Sequence, residues 1–208
     1  MRRLVALTAL CAFLASCASP SATRTSVAAD HKLDSTGTMG LVVGSITYDS
    51  GLGVYSISFG KDAARPDQVA SVGWSMWPPL GPVYDDDLKA KGGTFAIEVP
   101  AGEYKLAKWF IRQGYIIYKA EQTIGIPFTV EAGKVTYLGN IHFQESGEVS
   151  LRDRSSRDIP TLKARFSAVK AADVGLSIAE GFNLDAIGGA TQRSMQMPAL
   201  PVYVPIKR

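Results

Sequence analysis

The chain has 208 residues, enough for one sizeable core, and its 20 Gly and 11 Pro favour many turns and short strands over long helices. Formal net charge is +3, and Arg2 and Arg3 supply two of those charges, so the body of the chain has no basic field for nucleic acid. The two cysteines, Cys11 and Cys17, both precede that body, which excludes a disulfide framework and leaves packing as the source of stability.

Arg2 and Arg3 open an apolar run from Leu4 to Ala15 that is too short to cross the ~30 Å hydrocarbon core as a helix. Residues 1–16 therefore read as a secretory signal that is removed. The run closes on Leu14-Ala15-Ser16-Cys17, which resembles the lipobox of bacterial lipoproteins and implies that Cys17 is lipidated and becomes the N-terminus. Several acyl chains on one residue make a stable anchor, where a single chain is marginal. Ala18, in place of Asp, resembles the sorting signal for the outer membrane rather than for retention in the inner one; of its two sides the periplasm-facing one is expected ahead of the cell surface. Residues 17–40 are rich in Ser, Thr, Ala, Asp and Gly and are expected to form a flexible leash, with His31 solvated within it.

The body is expected over 41–153. Leu41 to Tyr48 is a β-branched run, Asp49-Ser50-Gly51 turns the chain, and Tyr55, Ile57 and Phe59 alternate in a second strand. Gly40-Leu41-Val42-Val43-Gly44-Ser45 lacks the Lys-Ser/Thr of a phosphate loop, so Gly44 marks close backbone approach or a bulge. Gln68 to Trp77 reads as a strand, and the three prolines between Trp77 and Tyr84 rule out regular structure there. Trp74, Trp77 and Tyr84 beside that irregular stretch are candidate partner-binding residues, because loop aromatics mark recognition sites; plugging one end of the core is the plainer role for the tryptophans. Asp85-Asp86-Asp87 is a solvated acidic cluster that Lys89 and Lys91 can satisfy, and it lacks the turn glycine of a calcium loop.

Two alternating segments then turn on Ala-Gly pairs. Phe95, Ile97 and Val99 lead through Pro100-Ala101-Gly102 to Tyr104 and Leu106; Phe128 and Val130 lead through Glu131-Ala132-Gly133 to Val135, Tyr137, Gly139, Ile141 and Phe143. Both read as hairpins of a half-buried sheet, with His142 on the solvent face opposite the apolar set. Glu148 to Asp153 is one more short strand. Over 154–170 the period changes: Ile159, Leu162, Phe166 and Val169 fall at helical steps, with Asp158 as the cap and Lys163, Arg165 and Lys170 on the outer face. Residues 171–208 read as an extended Gly/Pro-rich tail.

The expected fold is mainly β: an antiparallel β-sandwich of about 7–9 short strands with one short C-terminal amphipathic helix. Phe95-x-Ile-x-Val-Pro-Ala-Gly-Glu-Tyr-x-Leu106 and Phe128-x-Val-Glu-Ala-Gly-Lys-Val-Thr-Tyr-Leu-Gly139 resemble uncharacterised bacterial lipoproteins whose globular part is similar to the transthyretin-like or carboxypeptidase-regulatory-like β-sandwich. That resemblance implies a non-catalytic binding or scaffolding module with no cofactor and no catalytic residues, whose partners are the membrane and an envelope protein or glycan. The alternatives are a glycan- or peptide-processing envelope enzyme drawing on Asp85, Asp86, Asp87, Glu98 or His142, and a calcium-dependent adhesion module using the aspartate triplet.

Overall fold

The computed structural model describes residues 26–34, 36–49, 51, 53–73, 84–178 and 181–195. The expected signal segment 1–16, Cys17, Trp74, Met76, Trp77 and residues 196–208 lie outside the described residues. Among the described residues the body is mainly β, with two sheets, mostly antiparallel pairing and two short helices.

The larger sheet runs in the order β12 (Asn183–Leu184), β10 (Val149–Arg152), β9 (Val135–Phe143), β1 (Met39–Tyr48), β5 (Ala90–Pro100) and β4 (Tyr84–Asp85), with β11 (Val174–Leu176) also paired to β9. The smaller sheet runs β13 (Thr191–Met195), β7 (Ile116–Ala120), β6 (Gly102–Gln113), β2 (Val54–Gly60) and β3 (Gln68–Gly73), with β8 (Ile126–Val130) also on β6. These thirteen strands exceed the number expected. Three are only two or three residues long, and part of what was expected to be a tail supplies β11, β12 and β13. The pairing is not purely antiparallel either: β9 runs parallel to both β1 and β11.

None of the three turns expected to close a hairpin does so. β1 and β2, β5 and β6, and β8 and β9 each lie in different sheets, so every one of these turns is an arch from one sheet to the other. Period-two alternation reports which side of a strand is buried and is silent on its partner. Gly102 takes φ +149°, open to glycine alone, and the Tyr104 hydroxyl donates to the Pro100 carbonyl at 2.7 Å across the same arch. The hairpins are instead β2–β3, β4–β5, β6–β7 and β9–β10.

Between the sheets lies the main core, with Val42, Ile46, Phe95, Ile97, Val99, Ile57, Leu106, Trp109 and Ile141 all at most 1% exposed. Aromatic rings close both ends of it. Tyr104, Phe59 and Phe128 pack together at one pole; Tyr48 stacks on Tyr55 at 4.1 Å at the other, beside Phe143 and Trp109. The Trp109 indole N–H donates to the Ile187 carbonyl at 2.7 Å, tying the segment before β13 to this core.

The expected strict alternation of β9 breaks at Gly139. Pairing with β1 shifts there, from Val43–Tyr137 to Ser45–Asn140, and Gly139 takes φ +110°. One extra residue exchanges the faces of everything after it. Val135 and Tyr137 consequently pack outward, whereas Ile141 and Phe143 face the other sheet. Gly44 lies opposite the irregularity, where a Cβ would meet the Phe95 ring at 2.7 Å and the Gly139 carbonyl at 2.8 Å.

A second, smaller core covers the outer face of the larger sheet. Leu41, Val43, Ala96, Val135 and Tyr137 pack there against Leu162, Ala168 and Val169. Leu162 comes from α1 (Ser155–Arg165), and Ala168 and Val169 come from α2 (Ser167–Ala171). The helical stretch is two pieces because Phe166 is extended, with φ −124° and ψ 118°. The expected leash is packed from residue 26 onward: Val27 and Leu33 join the outer core, Val27 N–H donates to the Ala96 carbonyl at 2.8 Å, and Ser167 N–H donates to the Ala29 carbonyl at 2.8 Å. Its apolar anchors are few, but each meets a prepared surface.

Candidate functional site

The polar residues that stand out are gathered on the half of the outer face that the small core leaves uncovered. Ser45 and Thr47 extend from β1, Asn140 and His142 from β9, and Ser150 from β10. They alternate with inward-facing Ile46, Ile141 and Leu151, so the pleat itself assembles the row. At one end sits Asp158 of α1, fully buried. Its carboxylate accepts from the Ser45 hydroxyl at 2.5 Å, the Tyr137 hydroxyl at 2.7 Å and Arg157 Nε at 2.7 Å. This corrects the expectation of Asp158 as a helix cap: α1 begins three residues earlier, after Arg154, and Asp153 takes the Ser155 N–H at 2.8 Å. Burial first, and then the Asp158 carboxylate, drives the Tyr137 phenol far above its ordinary range.

From Asp158 the row continues without a gap. Asn140 Nδ2 donates to Ser45 Oγ at 2.7 Å and to Thr47 Oγ1 at 3.1 Å; Thr47 Oγ1 lies 2.9 Å from His142 Nδ1; His142 Nε2 lies 3.2 Å from Asp49 Oδ1. A carboxylate only accepts, so Nε2 carries the proton and Nδ1 accepts from the threonine. Hydroxyl, imidazole and carboxylate thus stand in the order of an acid–base relay. Thr47, however, is 2% exposed, and its oxygen is enclosed by Asn140, itself 2% exposed. The arrangement spends its polar groups on one another. His142 is half-buried rather than solvent-facing as expected, and burial, only partly opposed by Asp49, lowers its pKa below the ordinary histidine value.

The aspartate triplet is divided. Asp85 is buried, and both its oxygens are taken by Arg165, at 2.6 and 2.7 Å; Asp87 accepts from the same guanidinium at 2.7 Å. Burial pushes the Asp85 carboxyl up, but the Arg165 bonds and the Leu88 N–H outweigh it and hold the group below its ordinary value. A guanidinium therefore occupies the place a cation would take. Arg165 does this from α1, not Lys89 or Lys91 as expected, and Lys91 instead reaches the Asp49 carbonyl at 2.8 Å. Among the described residues no group of three or more His, Cys, Asp or Glu side chains is placed to hold a metal ion.

Of the candidate partner-binding residues, Tyr84 is 58% exposed at the start of β4, while Trp74 and Trp77 lie outside the described residues, as does the candidate lipidation site, Cys17. His31 is not solvated in a leash: its Nε2 lies 3.3 Å from Glu98 Oε1 on β5. Glu98 and His142 are therefore on different parts of the outer face, each with its own partner, and the two candidate carboxylates that do meet, Asp85 and Asp87, meet on the Arg165 guanidinium.

Several cavities open among the described residues. One of about 620 Å³ lies between Leu33, the β8–β9 arch at Gly133 and Lys134, and Ala168 of α2. Another, about 460 Å³, lies beside Asp87, Lys89 and Arg157, and a smaller one, about 230 Å³, is at the end of the sheets among Tyr55, Ile111, Tyr118 and Phe143. Sequence reasoning missed the polar row altogether. Its signal is the small polar residue at every second position of otherwise apolar strands, in Ser45-Ile46-Thr47, Asn140-Ile141-His142 and Ser150-Leu151-Arg152.

Among the described residues no helix is long and apolar enough to cross a membrane. No family model matches the chain, and no curated protein matches it. A solved leucine-rich repeat protein from Bacteroides thetaiotaomicron VPI-5482 is similar over 52% of this chain and 14% of its own, at 16% identity and a TM-score of 0.29, a likeness that carries no argument.

Proposed function

We propose that this chain is a lipid-anchored envelope protein whose β domain, a variant of the transthyretin-like sandwich, binds or scaffolds a protein or glycan partner without converting it. The observation that carries the anchor is Leu14-Ala15-Ser16-Cys17 at the end of a short apolar run behind Arg2 and Arg3. The binding role is supported by the way the Asp49, His142 and Thr47 side chains, and the Asp85 and Arg165 pair, are consumed in mutual hydrogen bonds instead of facing a cleft. Residues 18–25 then form the link between lipid and body; at ~3.3–3.6 Å per residue it spans at most roughly 30 Å, which keeps the body close to the membrane that holds the lipid.

Intact-mass analysis of the full chain, expressed with its own leader in a lipoprotein-processing bacterium, tests the anchor. The expected product begins at Cys17 and carries acyl chains, and Cys17→Ala leaves the protein without acyl chains and uncleaved before position 17. A free thiol at Cys17, or an N-terminus elsewhere, overturns the anchor. For the binding role, crosslinking in intact cells is expected to return the same envelope partner from independent preparations, and recovery of background proteins alone counts against it.

A further inference from the structure

The strand at one end of the smaller sheet is an open template. Thr191–Met195 pairs with β7 in an unbroken antiparallel register, Thr191 to Ala120 through Met195 to Ile116, and all five of its residues are exposed. Nothing among the described residues pairs with its other edge. The remaining sheet ends are handled differently. β12 and β4 are two residues long, and beyond β4 the edge of β5 is met by Ser26 and Val27 at Ala96; β3 is folded over β5, with Val72 against Gly93. Proteins blunt such edges with short strands, bulges, prolines or charged side chains. Thr191-Gln192-Arg193-Ser194-Met195 has one charge, Arg193, and no proline or bulge.

A free edge, unlike an apolar patch, dictates the conformation of what covers it, because its N–H and C=O groups are matched only by another extended backbone. The side chains narrow the choice. Arg193 is the central residue, and Met195, 62% exposed, stands at one end. An antiparallel second copy in register would set Arg193 against Arg193, and like charges directly opposite are destabilising. We propose that β13 is a docking edge for an extended segment of a partner protein, added as a further strand, with an acidic residue opposite Arg193 and an apolar one opposite Met195. This deepens the binding role proposed above and rests on it, but not on the lipid anchor.

Residue-resolved amide exchange on the full chain, purified in detergent, tests it. In the free chain the β13 amides that point to β7 are expected to exchange slowly and those between them fast. A blocked Val-Thr-Glu-Thr-Val peptide at about 1 mM is expected to slow the fast set about tenfold, and the same peptide N-methylated at alternate residues is expected to leave it unchanged. Arg193→Glu should transfer the effect to a Val-Thr-Lys-Thr-Val peptide. The proposal fails if the outer amides are already slow in the free chain, whether covered by residues 196–208 or by a second copy. It also fails if the acidic peptide protects nothing, or if the methylated peptide protects equally. Each failure leaves the Cys17 mass result untouched, so the two readings are separable.

Discussion

The two faces of the larger sheet are stabilised by different physics. Its inner face is held by apolar burial, with Ile46, Ile97, Ile141 and their neighbours against Trp109 and Phe59. Its outer face is half apolar, under α1, α2 and the 26–34 segment, and half a hydrogen-bonded row running from Asp158 to Asp49. Burial is non-directional and tolerates substitution by similar shapes; a buried polar row stabilises only while every member is paired. The inner face should therefore respond to lost volume, and the outer face to lost partners.

The largest expected effect is on the inner face. Trp109→Ala removes the largest fully buried side chain among the described residues and orphans the Ile187 carbonyl, and chemical denaturation should show a loss of about 3–5 kcal/mol. On the outer face Asp158→Ala leaves Arg157, Ser45 and Tyr137 facing an empty site, for about 3 kcal/mol, and Asp158→Asn should recover part of that. If Asp158→Ala costs under about 1 kcal/mol, the row is ornament and the contrast between the faces collapses. Gly44→Ala probes the sheet between them: the new Cβ collides with Phe95 and the Gly139 carbonyl, and a loss of about 1–3 kcal/mol is expected in the same assay.

The smallest effect is on pH dependence. The pKa of His142 is lowered in the folded state, so the unfolded chain takes up a proton first as pH falls. The stability this residue contributes is present above the unfolded histidine value near 6.5 and is lost as pH falls through the lower folded value. Between about pH 7 and pH 5 the melting temperature of the wild type should therefore fall more steeply than that of His142→Gln. Equal slopes would mean that His142 is not held neutral by its surroundings.

What was legible in the residues divides along the same line. Strand positions such as Phe95–Val99 and Tyr55–Phe59 were readable because period two is local, and so was the close approach at Gly44. The partners of those strands were not. The Ala-Gly turns look like hairpin turns from within, and only the competing sheet shows that they are arches. The bulge at Gly139 was hidden because an extra residue has no local signature beyond a glycine. The site residues suffered most: Asp158 looked like a cap, Arg165 like a solvated charge and His142 like a surface histidine, because a polar side chain's role is set by what faces it from 21 to 113 residues away.

The amino-acid order alone determined that this would be a β-rich chain stabilised by packing without disulfides, because alternation and cysteine count are properties of neighbours along the chain. Tertiary structure decided which strands share a sheet, where one residue is looped out, and that Asp49, His142, Thr47, Asn140, Ser45 and Asp158 form one row. Those outcomes depend on contacts between distant segments, where the cost of leaving a buried polar group unpaired selects one pairing over its alternatives.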